Sequence, residues 1–296
     1  MRVSDLMFPQ QGVAAVQLTC RVRFAEHDSR PIPPTSYLLE DFTGQIEVAA
    51  ENERANQDAP LPEGVYDLVV LPATPKGPFV PVILSASLAT DIRSADAAAL
   101  LALPTYEDGL FDTHLAFYEL VSTITEPVLD RFVSKVLQVP LVAARLTRAR
   151  ASSFHHHAHI GGLLAHTVEV IKTVASLAEH KGLHHSHEIQ LYQVGALLHD
   201  LGKVITHDVP ADPFGQLARH EQMVSELVGP ALLALAEASP VMAAELREVL
   251  AWGGMDPQRR RRSPSVVAEL VALADQCSAI CIADRSRLRH QSVKGT

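Results

Sequence analysis

The amino-acid sequence predicts a two-domain α+β chain, with a small N-terminal β-barrel over residues 1–92 and an all-helical domain over residues 93–296. Three observations carry that expectation. The first ninety or so residues break into short apolar/polar alternations separated by turn-rich segments, the period-two pattern of half-buried strands. From Asp91 the composition shifts to Ala and Leu, and apolar residues recur at the three-and-four spacing of helices. Inside that second region one stretch opens HHHAHIGGLLAHTVEV at His155 and closes GALLHDLGK at Lys203, two segments that make chemical sense together as the walls of a metal site.

In the N-terminal region Gln17 to Phe24 alternates, with Leu18, Cys20, Val22 and Phe24 on one face and Gln17, Thr19, Arg21 and Arg23 on the other. Ser36 to Glu40 and Gln45 to Ala49 flank Asp41 to Gly44, a hairpin signal. Val65 to Leu71 and Val80 to Ser85 form another pair around ATPKGP. Five short strands with polar, Pro-rich loops suit a small Greek-key barrel, and YLLEDFTGQIEVAA resembles the second and third strands of an OB-fold. Barrels of that kind bind single strands through basic and aromatic side chains on one face, here Arg21, Arg23, Tyr37 and Lys76. Net charge argues against a broad phosphate funnel: residues 1–92 carry six Lys or Arg against twelve Asp or Glu, a balance of minus six. The competing reading is a barrel that docks on a helical domain, its own or a partner's.

In the helical region Pro104 and Gly109 punctuate a connecting segment. Leu110 to Ile124 and Pro127 to Val139 then read as helices, the second opened by proline in its first turn. The run RLTRAR places Arg145, Arg148 and Arg150 just ahead of the histidine tract, where an anionic substrate needs cations. From Ile160 to Ala178 the apolar positions are Ile160, Leu163, Leu164, Val168, Ile171, Val174, Ala175 and Ala178, which sets His166 on a helix beside its core face. A second apolar segment, Ile189 to Leu198, delivers His199 and Asp200 just before Gly202. A carboxylate at the C-terminal end of a buried helix faces the negative end of the dipole and is costly without a cation. Imidazole and carboxylate together suit a transition-type ion better than calcium. Lys203, four residues after His199, lies on the same face if the turn continues, and there it contacts phosphate. The histidines from His180 to His187 fall in a helix-helix loop without carboxylates at useful spacing.

Composition narrows the class further. At 296 residues, 47% hydrophobic and 20% charged, the chain is of soluble globular type. It contains no apolar run of transmembrane length and its N-terminus lacks a signal-peptide pattern, so a cytoplasmic location is expected. Cys20, Cys277 and Cys281 are too few for a disulfide framework or a thiolate zinc site, and the last two read as small core residues. Residues 250–296 reverse the charge, with eight Lys or Arg against four Asp or Glu. The run Arg259 to Arg262 suits phosphates, an acidic partner or a plain surface loop.

The pattern HHAHIGGLLAHT followed by LLHDLGK resembles the HD-domain phosphohydrolases, all-helical metalloenzymes named for their His-Asp pair. Within them the chain is most similar to the YhaM-like 3'-to-5' exoribonucleases, which place an OB-fold before the HD domain, and it also resembles the HD domains of some conjugative relaxases. The similarity is specific between His155 and Lys203. It implies an ion held by His166, His199 and Asp200, with Asp275 as the closing carboxylate and His220 as a further ligand. It also maps a His-His-Ala element onto His156, His157 and Ala158, so that His156 and His157 join Lys203 in holding the scissile phosphate. Where two-metal members carry His-His-Gly, this chain reads Trp252, Gly253 and Gly254. One divalent ion is therefore expected, manganese first, with iron, cobalt, nickel or magnesium as alternatives.

The resulting expectation is a metal-dependent phosphohydrolase, a 3'-to-5' exonuclease on single-stranded RNA or DNA that uses a water activated at the ion. Arg145, Arg148, Arg150, Arg21 and Arg23 are its substrate contacts. Two other classes fit the same residues: a nucleotide phosphomonoesterase with one metal, and a catalytically degenerate adaptor in a nucleic-acid-processing or conjugative-transfer complex. The partners implied are single-stranded nucleic acid or nucleotides, with no membrane, and with self-association left open.

Overall fold

The computed structural model describes residues 3, 6, 15–24, 35–41, 43–50, 61–73, 78, 80–102, 109–153, 157–183, 186–207, 218–253 and 265–278. The chain divides into two compact units, Met1–Thr105 and Tyr106–Thr296.

In the first unit five strands, β1 (Val16–Phe24), β2 (Thr35–Asp41), β3 (Gly44–Ala50), β4 (Gly64–Leu71) and β5 (Val82–Leu88), close into a barrel in the order β1-β2-β3-β5-β4. The pairings are antiparallel except β3 with β5. Alternation does the sorting: Leu18, Cys20 and Val22 from β1, Leu39 from β2 and Leu68 and Val70 from β4 all point into the core. The fifth strand begins at Val82 and not at Val80. Pro81 has no N–H to donate, and contributes only its carbonyl, which accepts from Ala49 N–H at 2.9 Å.

A short helix, α1 (Ser94–Ala99), also belongs to this unit. Leu100 joins the barrel's apolar cluster and Ile92 packs against it. The first unit therefore reaches residue 105, where the change in composition marked 92. Ala/Leu enrichment reported the start of helix, and these first helical residues cover the barrel's own core.

Two side chains named from sequence for a nucleic-acid patch, Arg21 on the polar face of β1 and Tyr37 on β2, turn out to be buried. Arg21 is 2% exposed, paired with Glu63 and with Glu40 at 3.6 Å, and Tyr37 is 1% exposed. Arg23 stays partly exposed but donates to Glu40 at 2.8 Å. The carboxylates of Glu40 and Glu63 thus claim both guanidinium groups at one end of the barrel. The period-two pattern had no way to register the approach of Glu63 from outside the strand pair. Burial pushes the Cys20 thiol up, with Asp41 and Glu40 adding to the effect.

In the second unit α2 (Leu110–Ser122), α3 (Pro127–Leu137) and α4 (Pro140–Arg145) precede α5 (Gly162–His180) and α6 (Ser186–Leu198). Then come α7 (Lys203–Thr206), α8 (His220–Ala238), α9 (Pro240–Gly253) and a helix over residues 266–278, here α10. Prolines at 127 and 140 start α3 and α4, where the missing N–H costs nothing. The first of these is also capped by Glu126, whose carboxylate accepts from Leu129 N–H at 2.7 Å. The centre of the unit is the pair α5 and α6, with α2 packed on α5 and α9 on α6. Buried Gln190 on α6 accepts from the N–H groups of Thr125 and Glu126 at 2.8 and 2.7 Å, pinning the α2–α3 turn to α6. Trp252, in the position where histidines were absent from the sequence, is 8% exposed and packs as core. Cys277 is only half-buried, because α10 turns that position partly outward, and Cys281 lies outside the described residues. Among the described residues no helix is long and apolar enough to cross a membrane.

The Tyr37 hydroxyl accepts from the buried N–H of Leu61 at 2.7 Å. Tyr37→Phe strands that donor, and the expected outcome is a loss of about 1–3 kcal/mol in barrel stability. Chemical denaturation followed by circular dichroism checks it, and an unchanged midpoint contradicts it.

Candidate metal centre

Each candidate ligand is brought in by its own element. The helix α5 carries His166 one turn from its start, on the face that also buries Leu163 and Val170. The last turn of α6 ends at Leu198, so His199 and Asp200 lie in the tight turn between α6 and α7. The α10 helix carries Asp275. His166, His199, Asp200 and Asp275 each offer one ligand atom, all within 4.8 Å of one another, and among the described residues they form the group suited to a metal ion.

The distances define the geometry. His166 Nε2 lies 3.3 Å from Asp200 Oδ2, 3.2 Å from Asp275 Oδ1 and 3.3 Å from His199 Nε2. His199 Nε2 lies 3.4 Å from Asp200 Oδ2 and 3.8 Å from Asp275 Oδ1. An ion with bonds of about 2.1 Å separates neighbouring ligand atoms by about 3.0–3.5 Å, so most of these edges have the right length. The tautomers agree. His199 Nδ1 donates to the Ala196 carbonyl at 2.6 Å, which leaves Nε2 as the lone pair of the neutral ring. His166 Nδ1 meets Ser278 Oγ at 3.3 Å, again leaving Nε2 toward the cluster. Lone pairs and two carboxylate oxygens therefore face one another across about 3.5 Å, an arrangement that repels itself unless a positive charge sits among them. The residues fit a divalent cation.

Titration behaviour points the same way. Burial alone would lower His166, but its hydrogen bonds to Asp200 and Asp275 outweigh that and push it up to about 9. Burial alone would raise Asp200, yet His199 and Lys203 beside it hold its carboxyl well below the usual range. Asp275 is likewise lowered against its burial, chiefly by His166. In the ion-free protein a proton thus supplies the charge the cluster needs. Exposure is graded across the group: His166 is 1% exposed while the Asp275 side chain is 45% exposed, so the cluster opens to solvent on the α10 side.

The neighbouring candidates divide. His220, at the start of α8, places Nε2 3.3 Å from Asp200 Oδ1, the oxygen turned away from the group of four. Lys203 lies 2.5 Å from Asp200 Oδ2. The sequence reading had it share a helical face with His199, but the helix breaks after Leu198 and the lysine pairs with Asp200 instead. His157 stands with its ring 5.7 Å from that of His166, and burial lowers its pKa despite a hydrogen bond with Glu169. His156, Lys76 and Arg259 to Arg262 lie outside the described residues.

Half-buried Arg145, Arg148 and Arg150 belong to a segment laced to the site through its backbone. Gly161 N–H donates to Arg148 O, Leu163 N–H to Ala149 O, and Arg150 N–H to His207 O. The buried Nε of Arg150 has no hydrogen-bond partner among the described residues. The barrel offers less to an anion. Its cleft of about 410 Å³ is lined by Gln17, Thr19, Asp67, Ser85 and Ser87 without a cation, and Arg21 and Tyr37, proposed from sequence for nucleic acid, are buried.

Two glycines let the backbone close on the site. A Cβ on Gly162 would lie 2.0 Å from the His157 carbonyl oxygen, and one on Gly202 would lie 1.9 Å from that of His220. Residues missed from sequence are Glu169 and Ser278. Each sits three positions beyond an identified ligand, His166 and Asp275, one helical turn away on the same face, and that spacing was the available signal.

Residues 163–280 match the HD domain family. That match supports an HD-domain phosphohydrolase, a class of metal-dependent hydrolases, and its span takes in His166, His199, Asp200, His220 and Asp275. No curated protein and no solved structure matches the chain.

Because a proton occupies His166 up to about pH 9, a cation has to displace it. Affinity for a divalent ion is expected to rise by about tenfold per pH unit up to about pH 9 and then level off, and titration calorimetry in buffers of different ionisation enthalpy reads the released proton. A pH-independent affinity refutes this. Gly202→Ala is expected to cost about 1–3 kcal/mol through overpacking against the His220 backbone. Gly229→Ala, inside α8 and with nothing within 4 Å of the added Cβ, is the clash-free control in the same thermal melts and is expected not to lower the midpoint.

Proposed function

We propose that the helical unit is a single-ion phosphohydrolase acting on phosphodiesters at the 3' end of single-stranded RNA or DNA. The observation that carries the reading is the convergence of His166, His199, Asp200 and Asp275 on one point open to solvent. Two nitrogen and two carboxylate ligands suit manganese, with iron, cobalt, nickel or magnesium as the other candidates. When bound, the ion supplies Lewis-acid polarisation and lowers the pKa of a water molecule.

The chain's own residues supply the rest. His166, His199, Asp200 and Asp275 hold the cation, and Ser278 and the Ala196 carbonyl orient the two imidazoles. Arg150 presents a buried donor lacking a described partner, which a phosphate oxygen would satisfy. Lys203 holds a second positive charge at the ligand cluster, and Arg145 and Arg148, on the segment tied to the start of α5, are the further substrate contacts we assign. The five-stranded barrel, in the strand order β1-β2-β3-β5-β4, supports an OB-fold-like module preceding the HD domain, the arrangement of the YhaM-like exoribonucleases. Its role in binding a strand rests on Arg23 and on surfaces other than the Arg21–Tyr37 patch.

A specific observation favours a second reading. Trp252 packs in the core where two-ion members carry ligands, and His220 faces the far oxygen of Asp200. A site with one ion serves a nucleotide phosphomonoesterase well.

The test is manganese-dependent release of nucleotides from a 3'-labelled single-stranded oligonucleotide, with nucleoside monophosphates assayed in parallel. Asp200→Ala is expected to lower the rate by more than about a hundredfold. Equal rates in both proteins remove the assignment, and hydrolysis confined to monophosphates selects the phosphomonoesterase. Absence of a bound ion even after metal supplementation favours the adaptor.

A further inference from the structure

Glu169 lies on α5, three residues after His166, and has no part in the group of four. Its Oε2 is 3.0 Å from His157 Nε2. A carboxylate only accepts, so the proton of that bond belongs to Nε2 of the imidazole. The backbone of His157 is fixed as firmly as its ring. It sits at φ +55°, a left-handed conformation costly for a residue with a Cβ. Its carbonyl accepts from Ala151 N–H at 3.1 Å. The same carbonyl occupies the space left by the absent side chain of Gly162. The ring ends 5.7 Å from His166 and 6.0 Å from His159, and the side chain is 16% exposed. Strain of this kind persists only where surrounding contacts over-determine it, and here three separate contacts converge on one histidine.

We infer that Glu169 is a positioning residue that holds His157 in its Nε2–H tautomer, which leaves Nδ1 as the acceptor nitrogen of a ring centred 5.7 Å from that of His166. The inference rests on the phosphohydrolase reading for its functional meaning. Within that reading it reverses the part expected of His157 from sequence. A ring that accepts at Nδ1 orients a water or hydroxyl through its proton and does not donate to a phosphate oxygen, so the phosphate-holding donors are Arg150 and Lys203. The same logic operates wherever a carboxylate fixes an imidazole tautomer for use at the opposite nitrogen, and here the Glu169 side chain that does so is 38% exposed.

The experiment uses the full chain loaded with manganese for kinetics, and the same chain with zinc, which is diamagnetic, for nitrogen-15 imidazole spectra. In the wild type His157 is expected to show a protonated Nε2 and an unprotonated Nδ1. Glu169→Ala is expected to lose that preference and to lower kcat about tenfold or more with KM within about twofold and metal content unchanged. Glu169→Gln, which keeps an acceptor, is expected to restore much of both. A wild-type His157 protonated at Nδ1, or a tautomer and kcat unmoved in Glu169→Ala, overturns the inference. If no phosphoester is hydrolysed by any of the proteins, the phosphohydrolase reading fails, and the spectra still decide whether Glu169 sets the tautomer.

Discussion

Two carboxylate oxygens and two imidazole nitrogens gathered within 4.8 Å of one another tolerate that closeness only around a positive charge. The rest of the helical unit follows from this requirement. Without an ion, His166 carries the charge as a proton and Lys203 leans on Asp200 from the side. Both are weaker solutions than a divalent cation, since neither satisfies all four atoms at once. The cost of collecting these groups, much of it desolvation, is offset by the apolar packing of the buried faces of α5, α6 and α10.

Rigidity comes from contacts made mostly by backbone. Carbonyl and hydroxyl partners set the two ring orientations, the α6–α7 turn presents His199 and Asp200 side by side, and the absent side chains of Gly162 and Gly202 admit the His157 and His220 segments. The arginine-bearing segment before α5 is stitched to the helix start by the same means. The segment that carries Arg145, Arg148 and Arg150 is therefore fixed against the helical unit by main-chain hydrogen bonds.

Much of this was legible in the letters. The period-two alternation gave the strands, the three-and-four spacing put His166 next to a core face, and a His-Asp pair closing an apolar helix was awkward enough to imply a cation. What escaped depended on groups arriving from elsewhere in the fold or on a turn that interrupts a helix. Arg21 reads as exposed until Glu40 and Glu63 enclose it. Lys203 reads as a helical neighbour of His199 until the chain turns. Leu100 reads as part of the helical domain until it covers the barrel. Local patterns report local periodicity; the corrections at Arg21 and Leu100 are long-range contacts, and that at Lys203 is a turn the periodicity does not register.

The spread of the ligands along the chain has a consequence for biosynthesis. Asp275 closes the cluster more than a hundred residues after His166, so a nascent polypeptide on the ribosome exposes an imidazole and later a His-Asp pair before the final carboxylate exists. The set of four is therefore complete only once α10 has been made and has docked.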